Sequence, residues 1–241
     1  VTAVLVDIGN SAIKWSVLGQ IERGVRRCER SPEALLAQLT ELPGPPLPVV
    51  IASVAGTEFE AALTQALRGA GHLSVEFCST PAEESGLVNS YSEPERMGVD
   101  RWFAMLGVWQ RGPGLWLVID AGSAITCDLI GTDGLHTGGY ILPGPKLMEQ
   151  ALQRDTQRVR YREGVSPHLE PGKNTADCVV AGVWSASVGA ILQLVHKFPN
   201  HQIVITGGDA ETLLSLGVPG EHQPDLVLQG LACRAQEQSP G

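Results

Sequence analysis

The chain has 241 residues, more than one average domain and enough for two of about 120 each, each able to bury its own core. An apolar fraction of 43% with a charged fraction of 18% is that of a soluble globular protein and argues against disorder. A formal charge of −9 excludes the clustered positive face that sequence-independent nucleic-acid binding needs, so no nucleic-acid partner is expected.

In chain order, β-branched apolar runs predict strands over 3–7 and 13–18, with a third over 21–28. The first run has no basic leader and stops at Asp7, so it is not read as a signal peptide. Ser31 is a candidate N-cap with Pro32 at the first helical position, predicting a helix to about residue 42 that Pro43-Gly44-Pro45-Pro46-Leu47-Pro48 stops. A buried strand over 49–54, a helix over 58–68 and a strand over 73–78 follow. Residues 79–97 are polar, contain Pro and Gly and have no clean period, whereas a helix over 99–109 carries its apolar residues on one face. Gly112-Pro113-Gly114 marks the expected domain boundary.

Beyond it the order restarts. Strands are predicted over 115–120, 125–130 and 136–142, then a helix over 146–153 and a charged, Pro- and Gly-containing stretch to residue 173. A long helix over 175–197 precedes a strand over 202–206 and helices over 210–216 and 225–235. Three strands, a helix and then alternation, twice over, describe an internally duplicated α/β architecture with domains 1–112 and 113–241.

The cysteines, Cys28, Cys78, Cys127, Cys178 and Cys233, are scattered without a C-x-x-C pair, which fits a reducing compartment rather than a disulfide framework or zinc site. His72, His136, His168, His196, His201 and His222 show no metal-ligand spacing and are read as structural or surface residues. No run approaches the ~20 apolar residues of a membrane span, so no membrane partner and a cytoplasmic location are expected. Arg154, Arg158, Arg160 and Arg162 form a local basic cluster with two readings, a solvated helix end and loop or an anion site.

Two segments are near-copies. Val4-Leu5-Val6-Asp7-Ile8-Gly9-Asn10-Ser11 and Leu117-Val118-Ile119-Asp120-Ala121-Gly122-Ser123-Ala124 are each an apolar run ending in Asp, followed by a Gly and small polar side chains. Each should sit in the hairpin of an antiparallel pair. Successive N–H groups in such a turn form an anion-binding concavity, and a carboxylate at the strand end can hold a hydrated Mg²⁺ that bridges phosphate oxygens. Both therefore suit one end of a nucleotide.

Other motifs accompany them. Asp7-Ile8-Gly9-Asn10-Ser11-Ala12-Ile13-Lys14 resembles a D-x-G-N-[ST]-x-x-K phosphate motif, and Gly98-Val99-Asp100-Arg101 a G-x-D-R substrate motif. Gly138-Gly139-Tyr140-Ile141-Leu142-Pro143-Gly144 resembles G-G-x-I-x-P-G, and Thr206-Gly207-Gly208-Asp209 a late T-G-G-x adenosine motif. The duplicated order resembles the ribonuclease H-like fold of the actin-like ATPase and sugar kinase superfamily, which implies two such lobes with an interlobe nucleotide cleft. Together and in this order, over nearly the whole chain, the motifs resemble the type III pantothenate kinase family. Ser11 and Ser123 stand where that family more often has Thr, and each keeps the hydroxyl.

The resemblance implies ATP-dependent phosphorylation of pantothenate, the first step towards coenzyme A, by a homodimer. The alternatives are another small-molecule kinase on the same scaffold and a non-catalytic ATP-binding regulator. It implies that Asp7 holds Mg²⁺ through water and that Gly9, Asn10 and Ser11 meet the β- and γ-phosphates. Lys14 either adds a positive charge there or is an exposed strand lysine. Asp100 is implied as the general base, with a helix cap in a surface ion pair as its plain reading; the helix start and the neighbouring Arg101 both favour its ionised form. Arg101 would grip the pantothenate carboxylate, with Gly98 and Val99 in the same motif bringing the chain close to substrate. Asp120 is implied as ligand to a monovalent cation, K⁺ or NH₄⁺, and Gly122 and Ser123 as ATP contacts. Tyr91 either lines the pantothenate pocket or is an exposed loop residue. Thr175 reaches substrate from the neighbouring subunit or is a plain N-cap. Gly207 and Gly208 make room for adenosine or form an ordinary turn.

Overall fold

The computed structural model describes residues 2–155 and 164–237. Arg158, Arg160 and Arg162 lie outside the described residues. In chain order the elements are β1 (Val4–Ile8), β2 (Ile13–Val17), β3 (Arg26–Cys28), α1 (Pro32–Leu39), β4 (Val49–Ser53), α2 (Thr57–Gly69), β5 (Val75–Phe77), β6 (Glu83–Glu84), β7 (Leu87–Val88) and α3 (Val99–Trp109). They continue as β8 (Trp116–Ala121), β9 (Ala124–Ile130), β10 (His136–Pro143), α4 (Pro145–Asp155), α5 (Thr175–Lys197), β11 (Gln202–Thr206), α6 (Ala210–Ser215), β12 (Glu221–His222) and α7 (Leu226–Glu237).

The chain divides into two compact units. The first comprises Val1–Pro113, Thr132–His136 and Asp225–Gly241, and the second Gly114–Gly131 and Thr137–Pro224. The expected division into 1–112 and 113–241 differs from this grouping by one residue at Pro113 and, more substantially, at Thr132–His136 and the last helix. Periodicity shows that a helix has an apolar face but not which core takes it.

In the first unit the sheet order is β3-β2-β1-β4-β5. β1 pairs antiparallel with β2 and parallel with β4, and β4 is parallel with β5. Successive side chains alternate between the faces of β1. Val4, Val6 and Ile8 pack with Ile13 and Trp15 of β2, Leu35 and Leu39 of α1, and Leu63 and Leu67 of α2. Leu5 and Asp7 take the opposite face, and α7 packs on β1 and β4. Ser31 caps α1, accepting from Ala34 N–H at 3.0 Å, with Pro32 in the first turn.

The α7 helix joins this unit because two glycines let helix backbones meet. A Cβ on Gly107 of α3 would lie 2.6 Å from the Leu226 carbonyl oxygen, and one on Gly230 would collide with the Phe103 carbonyl. Helices normally stand 8–10 Å apart on their side chains, so these contacts exclude even a methyl group.

The second unit repeats the plan in the order β10-β9-β8-β11-β12. Leu117, Ile119 and Ala121 of β8 pack against Val180, Val183, Trp184, Val188 and Ile191 of α5 and Leu213 of α6. Contrary to the sequence reading, α5 is long and apolar enough to cross a membrane by length and composition. Half of its most apolar window is nevertheless buried in this core, the position of a core helix.

Three local differences have physical causes. The strand expected over 21–28 is a 3₁₀ turn, Ile21–Arg23, followed by β3, because Gly24 takes φ 138° and breaks the extended run. Residues 79–97 contain the ribbon β6–β7 and a 3₁₀ turn at Pro94–Arg96. β12 is too short to give a periodic signal.

Gly230→Ala is expected to lower stability by about 3 kcal/mol, since the Phe103 carbonyl belongs to a packed helix and cannot yield cheaply. Denaturant titration of the variant against the parent measures it.

Candidate active site

The first unit places one repeat of the Asp-x-Gly motif in the β1–β2 hairpin. Gly9 N–H donates to the Ala12 carbonyl at 3.1 Å, leaving Asn10 and Ser11 exposed at the tip. Asp7 and Lys14 are directly opposite in the antiparallel register, so their side chains share a face. Lys14 Nζ lies 3.1 Å from Asp225 Oδ1. The Arg30 guanidinium donates to the Asn10 carbonyl at 3.1 Å and sits 5.6 Å from the Phe59 ring centroid, adding a positive charge beside the turn. No sequence motif singles out Arg30 or Asp225.

The Gly98-Val99-Asp100-Arg101 segment opens α3. Gly98 is the N-cap with φ −53°, a backbone any residue can adopt, so space rather than freedom explains the glycine. A Cβ there would stand 2.6 Å from Asp100 Oδ1. The carboxylate folds back over Gly98 and accepts from the Arg101 N–H at 2.8 Å. Arg101 is 6% exposed, and its Nη1 donates to the Tyr91 hydroxyl at 3.0 Å. A recess of about 350 Å³ adjoins this segment, lined by Ser53, Val54, Cys78, Met97, Gly98 and Val99 among others. Burial pushes the Cys78 thiol up to about 11, so it is protonated at neutral pH and no nucleophile.

Tyr91 is held from behind. Its N–H donates to Asn89 Oδ1 at 2.9 Å, and its ring lies 6.1 Å from that of His136. His136, fully buried, hydrogen-bonds Ser90 Oγ through Nδ1 at 2.9 Å. Of the two readings given to the histidines, structural or surface, burial gives His136 the first. Further back, Glu84 accepts from Trp102 Nε1 at 2.8 Å and from Arg234 Nε and Nη2 at 2.6 and 2.5 Å. This paired geometry on side chains 9% and 12% exposed ties the loop to α3 and α7.

In the second unit three segments converge on the other repeat. Asp120 pairs across strands with Thr126 and, in parallel, with Thr206. Gly122 N–H donates to the Ala124 carbonyl at 3.0 Å, Gly144 N–H to the Ser123 carbonyl at 3.0 Å, and Asp209 N–H to the Ala121 carbonyl at 2.9 Å. Gly207 combines φ 95° with a close approach: a Cβ would lie 2.5 Å from Asp120 Oδ1. A Cβ on Gly208 would meet no protein atom within 4 Å. Burial pushes the Asp209 carboxyl above the usual carboxylate range. Thr175 stands exposed in the first turn of α5, and the cap is Asn174, whose Oδ1 accepts from Asp177 N–H at 3.0 Å. The plain N-cap reading therefore belongs to Asn174.

The structure thus gathers Asp7, Gly9, Asn10, Ser11 and Lys14 in one hairpin, and Tyr91 with Gly98, Val99, Asp100 and Arg101 at the start of α3. It gathers Asp120, Gly122, Ser123, Gly207 and Gly208 around the second turn. Among the described residues no group of three or more His, Cys, Asp or Glu side chains could hold a metal ion by itself.

Residues 3–197 match the family model described as type III pantothenate kinase. The type III pantothenate kinase of Marinobacter nauticus is 34% identical over 236 residues, covering 95% of this chain and 96% of the relative. That of Pseudomonas fluorescens is 37% identical over 240 residues, covering 94% and 96%. Among solved structures, a Campylobacter jejuni protein described as a Baf family transcriptional activator matches with a TM-score of 0.62 and 22% identity over 98% of this chain and 100% of that one. A protein described as a 2-dehydro-3-deoxygalactonokinase from Sinorhizobium meliloti matches with a TM-score of 0.58 and 15% identity over 98% and 100%. These two structural likenesses show the fold alone, the two-sheet α/β architecture described above.

Glu84→Gln leaves Arg234 without its anion and is expected to cost about 3 kcal/mol, the scale of a broken buried pair. Urea midpoints measure the loss, and hydrogen exchange should show faster opening of residues 79–97, while Glu83→Gln on the exposed neighbour changes neither.

Proposed function

The chain belongs to the type III pantothenate kinase family and phosphorylates pantothenate with ATP on the way to coenzyme A; we propose that Asp100 is the base that accepts the proton of the pantothenate primary hydroxyl. The observation that carries this reading is the Asp100 carboxylate, folded over Gly98 at the helix start beside the buried Arg101 and its half-buried partner Tyr91. Phosphoryl transfer has a loose transition state and asks chiefly for positioning and charge neutralisation, so one carboxylate in reach of the alcohol suffices as base.

Arg101 grips the pantothenate carboxylate as a planar two-point donor, with Tyr91 fixing its orientation. The backbone N–H groups of Gly9, Asn10 and Ser11 cradle the β- and γ-phosphates, and Lys14 neutralises their charge. Gly122 and Ser123 contact ATP in the second unit, and Gly208 gives the adenosine room. Asp7 and Asp120 lie at strand ends beside exposed turns, a hard-oxygen setting that fits a cation completed by water and phosphate oxygens rather than by a protein cage. Asp7 would hold Mg²⁺ through water and Asp120 a monovalent cation, K⁺ or NH₄⁺, and these cations supply neutralisation of phosphate charge. Thr175, exposed and not needed as a cap, is available to substrate from a second subunit in a homodimer. The core position of α5 and the acidic charge support a cytoplasmic protein without membrane or nucleic-acid partners.

Asp100→Asn is expected to keep the fold and ATP binding while turnover falls by roughly 10² or more, the scale of a lost catalytic base. The assay is ADP release with ATP plus pantothenate, a hexose or no acceptor. Undiminished turnover in the variant would overturn the assignment of the base, and acceptor-independent or hexose-only activity in the parent would favour a regulator or a different kinase.

A further inference from the structure

Asp225 belongs to none of the phosphate, substrate or adenosine motifs. It immediately precedes α7, where an aspartate ordinarily has extended backbone and caps the helix with its side chain. Here its φ is 62°, in the left-handed region that non-glycine residues rarely take. Its backbone carbonyl still accepts from Gln229 N–H at 3.1 Å, as the first turn requires. The carboxylate, however, reaches away from the helix to Lys14 Nζ at 3.1 Å, across 211 residues of sequence. Both side chains are largely shielded, at 29% exposed for Lys14 and 19% for Asp225.

A left-handed backbone together with a side chain that reaches a distant partner instead of capping its helix is an outlier that points to function. Its target is specific, because Lys14 is the cross-strand neighbour of Asp7 on the same sheet face, three residues after the exposed Asn10–Ser11 tip. We propose that Asp225 is a positioning residue that holds the Lys14 ammonium at the first phosphate turn, so that ATP meets a fixed charge instead of a mobile one. The inference rests on the reading of Lys14 as a phosphate contact. A lysine side chain loses much rotamer freedom when fixed, and a carboxylate that takes one of its three N–H donors imposes that cost before ATP arrives while leaving two donors for phosphate oxygens.

The test is steady-state kinetics of Asp225→Asn, Asp225→Glu, Lys14→Ala and the Lys14→Ala/Asp225→Asn double variant, with thermal melts confirming that each is folded. Asparagine suits the left-handed backbone and keeps the shape while removing the charge. Asp225→Asn should raise KM for ATP by roughly 3- to 10-fold, the scale of a charge-assisted contact, and leave KM for pantothenate unchanged. Glutamate should restore part of the loss. On the Lys14→Ala background, Asp225→Asn should add nothing, which a merely structural role would not predict. If Lys14→Ala weakens ATP use but Asp225→Asn leaves KM for ATP unchanged or lowered, or if the two effects simply add, the positioning role is overturned alone. If Lys14→Ala has no effect on ATP use, the phosphate reading of Lys14 fails and the inference falls with it.

Discussion

The role proposed for Asp100 requires a carboxylate held still at the start of α3, and in this chain the hold is local. The Arg101 N–H donates to Asp100 Oδ1, and a Cβ on Gly98 would stand 2.6 Å from that oxygen and displace it. The remainder of the first unit keeps this short segment in place. Arg101 is fixed by Tyr91, Tyr91 by Asn89 and His136, and the loop that bears them by the Glu84–Arg234 pair.

The same economy recurs in the second unit, where Gly207 lets the T-G-G-D turn lie against Asp120. The Asp209 N–H of that turn and the Gly144 N–H of one further turn fasten both to the Ala121–Ser123 backbone. In each unit the motif carboxylate ends a central strand flanked by one antiparallel and one parallel neighbour. Main-chain hydrogen bonds on both sides fix such a strand, so its terminal side chain has little freedom to drift. The duplicated sheet order thus produces two rigid turns from one design.

Much of the fold was legible because the signals were local. The runs ending at Asp7 and Asp120, the Ser31-Pro32 helix start and the glycine turns each declare themselves within a few residues. What escaped depended on distant partners. Glu84 and Arg234 are 150 residues apart, and Lys14 and Asp225 are 211 apart, so no window of sequence reveals either pair. The place of α7 hinged on Gly107 and Gly230, whose meaning appears only when the helices touch. The Asp100 carboxylate that lies over Gly98 is likewise a contact that the motif alone does not reveal. Residues 21–28 were misread because apolar residues flank a polar stretch that Gly24 interrupts.

The most direct test is a crystal structure with pantothenate and a non-hydrolysable ATP analogue bound together. An Asp100 carboxylate oxygen should lie within hydrogen-bond reach of the primary hydroxyl, about 2.6–3.2 Å, with that hydroxyl directed at the terminal phosphorus. A hydroxyl out of reach of Asp100 and bonded to a different side chain would contradict it.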